Sequence, residues 1–303
     1  MKLSEIREET IDTFESDGRR KLHAAWFSVY VNIFLILMKT VVAVLTGSLA
    51  ILAELAHSFF DLAASVLAYV GIRKAHEPAD TDHPYGHERY ENLSALAQTL
   101  LIVITSLLIF HEAIKRLSHP KKIEATEIGL VAMLVTIGID YFLSRYLHKS
   151  SKRYASSALE ADAYHFTTDL WGALAVIVGL VFVIIGFPVF DAIAAMAVAA
   201  LMLWVSFNLA KKSVNVLMDG SPPPDIMEHI GRIISASPGI VRYHKLKARH
   251  AGNRFLVEFH VHVSPGMSVK EAHDIAHDMK TQIMREITYV KDVTIHIEPA
   301  PIE

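Results

Sequence analysis

Six stretches of roughly 20 predominantly apolar residues, the length needed to cross a hydrocarbon layer as helices, fill the first two thirds of the chain. They run over 22–45, 48–72, 93–114, 128–147, 159–185 and 189–209. The connectors Thr46-Gly47-Ser48 and Gly186-Phe187-Pro188 leave room only for tight turns between antiparallel helices. After Lys212 the pattern changes. Asp219-Gly220-Ser221-Pro222-Pro223-Pro224 is a hinge no helix would cross. Beyond it the residues predict a helix over 224–236, strands over 241–250 and 254–263 joined by Ala251-Gly252-Asn253, a helix over 268–287, and a strictly alternating strand over 291–298. Ser268 with Glu271 three residues on forms a capping box for the second helix. The order αββαβ suggests a small two-layer α+β domain. The predicted organisation is an N-terminal segment 1–21, a six-helix membrane domain 22–212 and an α+β domain 213–303.

Composition agrees with a membrane part joined to a soluble one. Of 303 residues, 52% are hydrophobic and 20% charged, with mean hydropathy +0.33. A net charge of -3 gives no electrostatic case for nucleic acid as a partner. Six spans put both termini on one side of a lipid bilayer. Basic residues crowd that side (Arg19, Arg20, Lys21, Arg73, Lys74, Arg145, Lys149, Lys211 and Lys212 among them), whereas the other has only Lys115, Arg116, Lys121 and Lys122. Both termini are therefore predicted cytoplasmic. The polar, partly acidic start is no cleavable signal peptide.

With no cysteine and 17 histidines, any metal chemistry must use nitrogen and oxygen ligands. Two pairs of identical spacing, His57/Asp61 and His165/Asp169, lie inside the second and fifth spans. A four-residue step puts both side chains of a pair on one helix face, and ionisable groups at that depth are costly to keep. A single pair could be only a structural polar contact; two of the same spacing could close a tetrahedral site for a borderline divalent cation, zinc first. Imidazole binds metal only when neutral, so metal and protons compete for such a site near neutral pH. Between the second and third spans, Asp80, His83 and His87 form a plausible three-ligand set. In the α+β domain, alternation places Thr294, His296 and Glu298 on one strand face, Glu258, His260 and His262 on another, and His244, Ala248 and His250 on a third. A solvated polar face is the plain alternative.

These features resemble the cation diffusion facilitator family, and within it the YiiP-like bacterial and archaeal members, over nearly the whole chain. The resemblance rests on the two intramembrane pairs, on Asp80-x-x-His83-x-x-x-His87 enclosing Pro84-Tyr85-Gly86, and on the histidine-rich C-terminal domain. It implies a homodimeric plasma-membrane exporter, not an enzyme, that exchanges a divalent metal for protons. His57, Asp61, His165 and Asp169 become the transport site and Asp80, His83 and His87 a cytoplasmic loop site. His244, His260, His273, His296 and Glu298 become a binuclear site between protomers, in a ferredoxin-like domain. A charge pair of Arg89 with Asp219 is implied at the hinge. Many bacterial relatives have aspartate in place of His57, often aspartate in place of Glu298, and lysine in place of Arg89. The extra imidazole implies Zn2+ as cargo, with Fe2+, Mn2+, Cd2+ or Co2+ as alternatives. Two other classes are a non-transporting membrane metal sensor and a zinc metalloenzyme, the latter disfavoured because the chain has no HExxH motif.

Overall fold

The computed structural model describes residues 3–46, 49–118, 127–184 and 189–301. Gly47 and Ser48 of the first connector, the whole of the second and the loop with Lys121 and Lys122 fall outside them, as does the side chain of His57. Two compact units are present. One comprises Gly18–Glu77 and Tyr90–Val214; the other Met1–Asp17, Pro78–Arg89 and Asn215–Glu303.

The first unit is helical, built from α1 (Leu3–Thr46) from Gly18 onward, α2 (Leu49–Ala75), α3 (Tyr90–Ser118), α4 (Glu127–Arg153), α5 (Ser157–Ile184) and α6 (Val189–Leu217) as far as Val214. Each expected span has its helix, and α1 reaches well back into the polar segment that precedes the first one. Among the described residues, Ser16–Leu45, Tyr90–Lys115 and Ala192–Leu217 are long and apolar enough to cross a membrane. The polarity of this unit is turned inside out. Phe34, Phe142, Trp204 and Phe207 are exposed, whereas Ser28, Asn32, Ser65 and Asp162 are buried. That is the distribution a hydrocarbon solvent selects, since it penalises polar groups on the outside. Ala64, Ala68, Ala158 and Ala163 pack at the interior, where small side chains let helix backbones approach.

The second unit carries α7 (Pro224–Ala236), β1 (Ile240–Ala251), β2 (Arg254–Val263), α8 (Val269–Glu286) and β3 (Val290–Pro299). The sheet order is β1-β2-β3, antiparallel between β1 and β2 and parallel between β2 and β3. Ile230 and Ile234 of α7, Val257, Phe259 and Val261 of β2, Met279 and Ile283 of α8, and Val293 of β3 form one core. Both helices thus cover one face of the sheet, leaving the other for polar groups. Helix α8 starts as its sequence predicts: Ser268 accepts from the Glu271 amide, and the Glu271 side chain accepts from the Ser268 amide. Removing the hydroxyl in Ser268→Ala should cost about 1 kcal/mol. The check is hydrogen exchange of the first-turn amides of α8 in the full-length protein, expected to quicken about fivefold.

Strand β1 departs from strict alternation at its middle. His244 pairs with His260 and Lys247 with Glu258, so β1 fits one residue more than β2 between these points. Lys245 takes up the excess in the left-handed region, with φ 53°. The bulge reverses the alternation downstream: Ala248 pairs with Val257 and His250 with Phe255, and Ala248 joins the core. The expected common face of His244, Ala248 and His250 therefore does not form.

Candidate metal centres

A tetrahedral metal with bonds of about 2.0–2.1 Å holds its donor atoms about 3.3 Å apart. Among the described residues, four groups of side chains come near that spacing.

In the helical unit, Asp61 of α2 meets His165 and Asp169 of α5. His165 Nε2 lies 2.9 Å from an Asp61 oxygen and 3.7 Å from an Asp169 oxygen. Asp61 is 6% exposed and His165 1%. The expected fourth ligand, His57, stands four residues before Asp61 in α2. A polar ladder lies one turn away along both helices. Ser65 donates to Asp162 at 2.9 Å and accepts from Asn32 at 2.8 Å. Ser28 sits 2.8 Å from the same hydroxyl, and Lys39 donates to Ser58 at 2.8 Å. Asn32, Lys39 and Asp162 stand out in the sequence as polar or charged residues within apolar stretches, whereas serines 28, 58 and 65 do not.

The second group sits on the 78–89 connection. Asp80 forms a turn, its carboxylate accepting from the amides of Asp82 at 3.0 Å and His83 at 2.6 Å. The His83 amide, with lesser help from the His87 and His83 rings and against some desolvation, holds that carboxyl below its usual range. The His83 and His87 rings approach to 3.1 Å, and Asp80 lies 3.3 Å from His87 and 3.6 Å from His83. All three separations straddle the tetrahedral value. His87 Nδ1 lies 3.0 Å from the Pro78 carbonyl. A carbonyl can only accept, so Nδ1 carries a proton and Nε2 is the ring nitrogen turned toward the group.

The C-terminal centre is organised by Glu298. One carboxylate oxygen faces His260 at 2.7 Å and His296 at 3.5 Å. The other faces His262 at 3.3 Å and His244 at 3.7 Å. Each oxygen has its own pair of imidazoles, the arrangement of a carboxylate bridging two ions. His262 Nδ1 donates to the Pro299 carbonyl, while its buried Nε2 has no hydrogen-bond partner. With Nδ1 committed to that carbonyl, Nε2 is the ring nitrogen turned toward Glu298 across 3.3 Å, a spacing at which one cation could be held by both. His262 was not among the expected ligands, although alternation already placed it beside His260. His273, which was expected, lies exposed on α8 beside His277. Neither is among the side chains gathered at Glu298; α8 packs on the core face, while these donors line the opposite one.

Arg89 and Asp219 do meet through Arg89 Nη2. The geometry is a shared point instead of a two-pronged fork. Arg249 reaches the same Asp219 oxygen at 3.0 Å, and Arg89 also donates to the His250 carbonyl at 2.9 Å. Slight burial raises the Asp219 pKa, but hydrogen bonds from the two guanidiniums outweigh it and hold the carboxyl below its usual range.

Comparison with known proteins places this geometry. Residues 25–218 match the cation efflux transmembrane domain, and residues 222–300 the cytoplasmic domain of cation efflux proteins. The cation-efflux pump FieF of Shewanella oneidensis is 30% identical over 276 residues, spanning 91% of this chain and 93% of its own. The manganese efflux system protein MneP of Bacillus subtilis is 32% identical over 285 residues, 91% of this chain and 95% of its own. Among solved structures, the metal-bound C-terminal domain of the CzcD transporter from Thermotoga maritima is 28% identical, covering 26% of this chain and 93% of that one, with TM-score 0.25. The helical unit with its buried carboxylate–imidazole centre, followed by a histidine-rich α+β domain, makes this chain a member of the cation diffusion facilitator, or cation efflux, family.

Proposed function

We propose that this chain exports zinc in exchange for protons, as a homodimer in the plasma membrane with both termini cytoplasmic. The observation that carries the reading is the buried group of Asp61, His165 and Asp169, completed in the proposal by His57. Two imidazoles and two carboxylates suit a borderline cation better than a hard one. The imidazoles must shed their protons to bind it, so a metal leaving on the outer side hands its place to protons. The loop and C-terminal groups are read as cytoplasmic metal sites. Their filling would tighten the dimer and shift the membrane helices between two states.

The test is metal flux in proteoliposomes under an imposed pH gradient, with zinc, manganese, iron, cadmium and cobalt compared. Zinc flux that rises with the gradient is expected. Flux indifferent to the gradient would remove proton exchange, and faster manganese than zinc would reassign the cargo, a result the name of MneP makes worth seeking. Metal binding without flux of any ion would turn the reading to a membrane metal sensor.

A further inference from the structure

We infer that Glu88 is a positioning residue that fastens the Asp80–His83–His87 loop to the ends of β2 and β3, and so sets the metal affinity of that loop. Glu88 follows His87 directly, yet its side chain is only 8% exposed. Arg254, the first residue of β2, grips it with two prongs: Nη2 to Oε1 at 2.5 Å and Nε to Oε2 at 3.2 Å. Lys291, near the start of β3, adds 2.6 Å to the same Oε1 and donates to the Tyr85 carbonyl at 2.8 Å. The backbone is shaped for the contact. Gly252, in the β1–β2 turn, has φ +70°, and a Cβ there would come within 2.4 Å of Glu88 Cβ. Arg249 adds a cation over the Tyr85 ring at 5.1 Å.

A loop in which Asp80 and His83 are half exposed would by itself lose much of its binding free energy in ordering those side chains. The Glu88 clamp bears that ordering before any metal arrives. A bidentate, buried carboxylate–guanidinium pair is among the stiffer attachments a protein makes. It also reaches further. Lys291 and Glu298 lie on one strand, so one of the two cations that hold Glu88 sits on the same β3 as the carboxylate that gathers four histidines.

The inference rests on reading Asp80, His83 and His87 as metal ligands, and the experiment separates the two. Hydrogen exchange of the 80–87 amides is followed in the full-length protein, first without metal and then across a zinc titration. Three variants are compared with wild type: Glu88→Gln, Gly252→Val, which crowds Glu88 out with its charge intact, and the swap Glu88→Arg with Arg254→Glu. Without metal, both single variants should exchange about tenfold faster in the loop, and the zinc concentration that protects it should rise about tenfold. The swap should recover part of both effects. Unchanged metal-free exchange in the single variants would overturn the anchor. Faster exchange with an unmoved zinc midpoint would reduce it to a structural brace and overturn the positioning role. Wild-type amides that gain no protection from zinc would defeat the ligand reading of the loop, with the metal-free comparison still deciding the anchor.

Discussion

Asp61→Asn should abolish gradient-driven zinc flux, with a loss of at least about a hundredfold, while leaving the helices packed. The amide keeps the shape of the carboxylate, so the interior around it has no cavity to absorb. What it removes is one of the anionic donors from a buried group in which an Asp61 oxygen stands 2.9 Å from His165. A divalent ion moved out of water needs that charge, because a buried site must offset the lost hydration through its own ligands. Loss of supporting contacts alone costs metal sites 10- to 100-fold in affinity, and loss of a ligand should cost more. The neighbouring carboxyl gives the control. Asp162 is fully buried but is engaged by Ser65 one turn away, so Asp162→Asn should slow flux far less than Asp61→Asn. Flux and zinc binding measured side by side in both variants settle the matter. An active Asp61→Asn protein would put the transport site elsewhere.

The second large effect is expected at Glu298. Its two oxygens face two histidines each. The hydrogen bond from His260, helped by the charges of the surrounding rings and opposed by slight desolvation, holds the carboxyl below its usual range. It is therefore anionic across neutral pH and available to bridge. Glu298→Gln should empty both halves of the centre together, whereas His296→Ala should empty only the half built on His260. Bound zinc is counted per chain in the Asp61→Asn background, which silences the membrane site. The Gln variant should lose two ions relative to that background and the Ala variant one. Equal losses of one ion from each variant would mean the carboxylate serves a single metal.

Much of this was legible in the sequence because it depends on local period. Long apolar runs gave the helices, the four-residue steps in α2 and α5 gave Asp61, His165 and Asp169, and the Ser268–Glu271 box marked the start of α8. The rest depends on partners far away in the chain or on breaks in the period. Glu88 reads as an ordinary loop acid, since the arginine and lysine that bury it lie 166 and 203 residues on. His262 stood on the right face, but nothing local distinguishes a ligand from a solvated ring; the orphaned Nε2 does. His250 was placed on the wrong side because a period of two carries no mark of an inserted residue.

That inserted residue bears on how relatives of this chain can be found. The bulge at Lys245 lies between His244 and the rest of β1 while leaving His244 opposite His260. A homologous chain lacking it would bring the same histidines to the same carboxylate with the linear spacing shortened by one. The donor set belongs to the pairing of strands, and fixed-interval patterns across β1 would miss chains that differ only by this single insertion or deletion.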